Sequence, residues 1–161
     1  MNPYLESNAR ISTCGTYRYL LSRVWGDAPP AVFIMLNPST ADAVKNDPTI
    51  DRCERRGRKM GHGGLIVANL FALRSADPAK LFRHPDPVGP GNDAAILEAV
   101  ANAGIVICAW GRAGKWQGRD AAVLALLRGA GVEPRALSFN KNGTPRHPLY
   151  VSYDKTPEAW P

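Results

Sequence analysis

Three polar residues stand where apolar runs stop. Asn37 follows AVFIML (Ala31 to Leu36), Asn69 closes LIVAN (Leu65 to Asn69), and His147 sits in RHPLY. A fourth polar turn, Trp110-Gly111-Arg112, follows IVICAW (Ile105 to Trp110). An amide donates and accepts at once, so an asparagine can read a ligand edge that does both. An imidazole can bond to an oxygen that gathers negative charge, and Arg146 beside it can bind an anion. No amide acts as a general base at neutral pH. Asp42 and Asp47, close behind Asn37, are free to serve a chemistry of their own. Taken singly, each residue has a plainer use: Asn before Pro makes turns, and a loop histidine can simply face water.

Whether these groups meet depends on the elements that carry them. AVFIML, LIVAN and IVICAW are short continuous apolar runs of strand length, the pattern of strands covered on both faces. TYRYLLSRVWG alternates Tyr17, Tyr19 and Leu21 with Arg18, Leu20 and Ser22, which also reads as a strand. Asp47-Pro48 predicts a helix start, with Asp47 as N-cap and the helix running through Ile50, Cys53 and Arg56 to about Gly61. AKLF predicts a short helix, and Asn92 is placed to cap another over DAAILEAVANA. A last helix is expected over about 119–128, and Arg135 to Ser138 is strand-like. Strands alternating with helices give an α/β class with a mainly parallel sheet and helices on both sides. In such a sheet the strand ends on one side share a crevice, where ligands bind.

The 161 residues suit a single domain spanning 1–161, large enough to bury a core without staples. No apolar run nears the roughly 20 residues of a membrane span, and MNPYLESNAR lacks a secretory plan. A cytoplasmic protein with no membrane partner is the expectation. Three widely spaced cysteines without a CxxC pair argue against a structural metal, and no cofactor is implied. Cys108, inside an apolar run, reads as a small core residue. A net charge of +6 favours phosphate-bearing partners, nucleic acid or nucleotide. Part of that charge lies in RCERRGRK (Arg52 to Lys59), which is either a solvated helix face or a phosphate contact.

The phrases RYLLSRVWG, FIMLNPSTADA, NDPTIDRC, NLFALRSADP, DPVGPGNDA, AWG and PRHPLY resemble a family of uncharacterised bacterial proteins marked by LNPSTAD. More distantly, the order of motifs is similar to the uracil-DNA glycosylase superfamily. Asn37-Pro38 stands where that family has Asp-Pro or Asn-Pro, Asn69 where it has a base-pairing asparagine, and His147-Pro148 where it has His-Pro. The resemblance implies a three-layer α/β/α sandwich and an N-glycosidic hydrolase acting on a damaged or modified base in DNA or a related nucleotide. A non-catalytic binding module on the same fold is the alternative. It assigns water positioning to Asn37, stabilisation of the departing base to His147, and base reading to Asn69. Phe71 or Tyr4 would stack on the base. Ser39, Arg112, Lys115 and Arg146 would contact phosphates, and Leu149 and Tyr150 would fill a vacated base stack. The sequence departs from that plan at Leu36 and Ser39, and His147-Pro148-Leu149 lacks the family's serine. A G-x-G-x-x-G or Walker-type phosphate loop is absent, which disfavours an ordinary Rossmann-like nucleotide binder.

Overall fold

All five residues of β3 (Ala31–Met35) are buried, and the rest of the sheet follows from that. In this computed structural model, which describes residues 3–161, β3 pairs in parallel with β4 (Gly64–Asn69) on one edge and β5 (Ile105–Cys108) on the other. Its side chains alternate between two cores. Val32 and Ile34 join Ile96 and Val100 of α3 (Asn92–Val100) and Val123 and Leu127 of α4 (Arg119–Gly129). Ala31, Phe33 and Met35 join Ile50 and Cys53 of α1 (Pro48–Lys59). Helices therefore cover both faces, and each fully buried large aliphatic or phenyl group contributes about 1.5–3 kcal/mol. Cys53 and Cys108 are core residues, whereas Cys14 is exposed.

Among the described residues the sheet has seven strands in the order β1-β2-β4-β3-β5-β6-β7. It is mixed rather than mainly parallel: β4, β3, β5 and the two-residue β6 (Arg135–Ala136) run together, flanked by antiparallel neighbours. On one side β2 (Arg18–Val24) pairs antiparallel with β4, and β1 (Glu6–Ile11) with β2. On the other, β7 (Glu158–Ala159) pairs antiparallel with β6. The expectation of a mainly parallel sheet fails because apolar runs identify the central strands but not the direction of their neighbours. β1 was not foreseen: ESNARI alternates between exposed and half-buried positions and offers only small or mixed side chains to its inner face. α2 (Pro78–Arg83) matches the expected short helix.

Two caps show how local sequence chemistry resolves. Asp47 caps α1 as expected, its Oδ1 accepting the Ile50 N–H at 2.9 Å, with Pro48 at the first helical position. Asn92 does not cap α3. It is the helix's first residue, fully buried, and its amide donates to the carbonyls of Asn69 (2.9 Å) and Leu70 (3.0 Å) instead. The carbonyls beyond the end of β4 outcompeted the helix's own N–H groups for that side chain.

The basic run of α1 divides: Arg55, Arg58 and Lys59 are exposed, whereas Arg52 and Arg56 turn toward the segment after His147. Arg52 donates to the carbonyls of Pro148 (3.0 Å) and Val151 (2.7 Å). The buried Arg56 donates to Ser152 (3.1 Å) and Val151. Lys59 reaches the Tyr153 carbonyl at 3.2 Å, and the Arg52 and Arg56 guanidiniums lie 4.3 and 4.9 Å from the Tyr153 ring centre. This clamp holds the 3₁₀ turn Pro148–Tyr150 against α1, and so holds His147, which caps that turn. Replacing Arg56 by methionine keeps the volume and deletes the donors. It is expected to lower stability by about 2–3 kcal/mol, the worth of charge-assisted bonds to buried carbonyls. A matching fall in the urea midpoint, with an unchanged slope, checks this.

Candidate functional site

Parallel register aligns the strand ends. Met35 pairs with Asn69 and Ile34 with Cys108, so Asn37, Asn69 and Trp110 leave the sheet at one edge. The ladder continues briefly past β3 and β4: the Leu70 N–H donates to the Met35 carbonyl at 2.8 Å and the Phe71 N–H to Leu36 at 3.0 Å. At this edge, between the strand ends and the first turn of α1, lies a cavity of about 210 Å³. Asn37, Asn69, Trp110 and His147 line it, together with Asp47 and Arg18. Ser39 lines it as well. A larger concavity, about 680 Å³, opens at the amino ends of β5 and β6 and gathers none of these groups. The smaller one is where the strand-end chemistry converges.

Not every expected residue is there. Phe71 is fully buried, its ring 5.5 Å from that of Trp116, and it does not line the cavity. Phe71 packs inside the same core as Trp110, against Trp116, and it is Trp110 that supplies the aromatic wall. Gly114 makes that wall possible, since a Cβ there would come within 2.1 Å of the Trp110 ring. Tyr4 bonds to Glu54, away from the site. Arg112, Lys115 and Arg146 are exposed and outside the lining. Leu149 and Tyr150 are exposed as well, with the Tyr150 ring 5.8 Å from His147.

Each lining group has a defined state. The Asn37 amide nitrogen donates to the carbonyls of Ser75 (2.9 Å), Pro38 (3.2 Å) and Leu73 (3.3 Å). It thus closes a turn, and its Oδ1 makes no hydrogen bond among the described residues. Asn69 is buried, and neither atom of its amide has a partner among the described residues. In the cavity wall, both polar atoms of this amide are available to a ligand. Its backbone is fixed from behind: Asn92 takes the Asn69 and Leu70 carbonyls, and Arg119 donates to Leu70 at 2.8 Å while pairing with Asp93 at 2.6 Å.

His147 accepts the Leu149 N–H at Nδ1 (3.2 Å), so in the neutral ring the proton sits on Nε2. Burial pushes its pKa below the ordinary value, and the nearby Asp47 charge opposes that only in part. Asp47 spends one oxygen on the α1 cap, and the other makes no hydrogen bond among the described residues. Arg18 is the group sequence reasoning missed. It alternates with aromatic residues in β2 like a surface position, yet it is 1% exposed. Its Nη1 donates to the Ala41 carbonyl at 2.9 Å, and desolvation pushes its pKa down to about 10. It remains charged at neutral pH. The only available signal was the long polar loop after Asn37, whose carbonyls need donors. Arg23, equally buried, meets the same need by donating to Asp42, Lys45 and the Asn46 side chain. Asp42 itself stays on the loop, its Oδ1 taken by the Val44 and Lys45 N–H groups. Among the described residues no three His, Cys, Asp or Glu side chains come together as a metal site. No helix among them is long and apolar enough to cross a membrane.

One protein family, described as "Protein of unknown function (DUF1643)", matches residues 18–149. The chain belongs to the DUF1643 family. The match takes in every lining residue from Arg18 to His147. No curated protein matches the chain, and no solved structure does.

Two measurements test the states assigned here. Asn37→Asp would set a carboxylate oxygen against three carbonyls, so it is expected to destabilise the fold by about 2 kcal/mol or more. Chemical denaturation at pH 7 reads this directly, and an unchanged midpoint would remove Asn37 from its turn-closing role. For His147, the unfolded ring takes up its proton near pH 6.5, whereas the folded ring resists until lower pH. Stability should accordingly fall as pH drops below about 6.5, and His147→Gln should flatten that part of the profile.

Proposed function

We propose that the cavity recognises a nucleobase and that the protein is an N-glycosidic hydrolase built on the uracil-DNA-glycosylase plan, a three-layer α/β/α sandwich. The observation that carries this reading is the Asn69 amide, buried in the cavity wall with both polar atoms unpartnered. An amide in that state matches a ring lactam, which offers one donor and one acceptor side by side. The cavity is smaller than the roughly 300–1,000 Å³ sites of drug-sized ligands, as suits a single planar base.

The chemistry follows from the neighbours. Water attacks the anomeric carbon, the bond from that carbon to the base nitrogen breaks, and the electron pair departs with the base. His147, neutral with its proton on Nε2, donates to the base oxygen on which charge accumulates. Asn37, its amide nitrogen fixed by three carbonyls, presents Oδ1 to orient the water. The proton lost by water goes to Asp47, whose carboxylate can accept it where Asn37 cannot. A base in duplex DNA would first be flipped out, with Leu149 and Tyr150 on the exposed side of His147 to fill the gap. With Arg52 and Arg56 committed to backbone carbonyls, phosphate contacts fall to Ser39, Arg112, Lys115 and Arg146. A cytoplasmic setting belongs to the same reading.

A second reading has an observation of its own. Both Asn37 and Asp47 already perform structural bonds, which favours a pocket that binds a base without turning it over. Base release from oligonucleotides containing uracil, hypoxanthine, xanthine or alkylated bases, in single and double strands, separates the two. Catalysis predicts abasic sites from at least one substrate, reduced about 10²–10³-fold by His147→Ala. Asp47→Asn should reduce release too, because asparagine keeps the helix cap and removes only the base. Binding without release from any of these substrates would favour the binding module.

A further inference from the structure

Four arginines are buried: Arg18, Arg23, Arg56 and Arg119. Three are accounted for by what they hold. Arg23 donates to five acceptors, Arg56 grips the turn behind His147, and Arg119 serves Leu70 and Asp93. Arg18 differs on both counts. It makes a single hydrogen bond, through Nη1, and it lines the cavity. Its Nε has no partner and its Nη2 makes no hydrogen bond among the described residues. No carboxylate among the described residues lies within ion-pairing distance of it. The Nε–Nη2 edge is the one that grips a carboxylate or phosphate through two parallel bonds.

We propose that Arg18 is an oxyanion subsite of the cavity, and that the ligand is a small lactam-bearing ring carrying its own carboxylate or phosphate. The lactam half rests on the reading of Asn69 given above; the oxyanion half does not. Two features of the wall agree with it. Thr49 and Ile50, in the first turn of α1, face the same space, at the helix end that favours negative charge. Asp47, on the same wall, is complementary to a ring N–H. A phosphate could belong to a nucleotide and a carboxylate to the ring itself; the Arg18 edge receives both in the same way.

Calorimetric titration of the whole protein distinguishes these sources. The neutral ligands are uracil and hypoxanthine. The charged ones are uracil-6-carboxylate and the uridine and inosine 5′-monophosphates, with inorganic phosphate as the bare oxyanion. At least one charged lactam is expected to bind on the order of ten- to a hundredfold more tightly than its neutral parent. Arg18→Gln should erase that margin and leave the neutral ligands unaffected. Arg18→Lys, which keeps the charge and a donor for Ala41, should retain only part of it, and it serves if the glutamine variant does not fold. Asn69→Leu should weaken every lactam and spare inorganic phosphate. A margin that survives Arg18→Gln, charged ligands no tighter than neutral ones, or no binding at all would overturn the subsite. Phosphate binding that depends on Arg18, with no lactam bound, would sustain the subsite and sink the nucleobase reading.

Discussion

Backbone carbonyls that run out of ladder partners are the constraint on which this structure turns. Parallel strands end at one edge, and every loop leaving that edge carries acceptors that the sheet no longer serves. In this protein side chains serve them. Asn92 and Arg119 take the carbonyls at 69–70, Asn37 takes those of Pro38, Leu73 and Ser75, and Arg18 and Arg23 take those of Ala41, Asp42 and Lys45. Arg52 and Arg56 do the same for the segment behind His147. The loops are long and irregular, yet each is tied at a named atom, and the cavity is the space those ties leave open.

Arginine suits this work better than lysine. Its planar fork spans two or three carbonyls in fixed directions and stays charged even when burial lowers its pKa, as at Arg18 and Arg56. The cost is desolvation, which only well-placed acceptors offset. Four of the 20 basic residues, Arg18, Arg23, Arg56 and Arg119, are therefore internal scaffolding. The basic run of α1 is an interior clamp with a partly exposed flank, and the net charge of +6 overstates the field offered to a polyanion.

What could be read from the sequence follows the same division. Apolar runs are self-declaring, so the three central strands and the Asp47-Pro48 helix start were legible, and so was the convergence of Asn37, Asn69 and His147 on one edge. Side chains that answer to distant backbone were not. Asn92 has the local chemistry of a cap and went to Asn69 instead. Arg18 has the alternation of a surface residue and is buried, because its acceptor, Ala41, lies in a loop whose path no local pattern reveals. RCERRGRK reads as one basic face, and only the position of residues 148–153 shows that Arg52 and Arg56 turn inward. Phe71 was misplaced because its ring packs against Trp116 inside the core, a distant partner that no local pattern reveals.

The clamp between α1 and the turn after His147 joins residues 96 to 99 positions apart. During synthesis, β3, β4, α1 and β5 can all form before His147 exists, and the clamp has nothing to close on until residues 148–153 leave the ribosome. The cavity thus acquires its imidazole wall last.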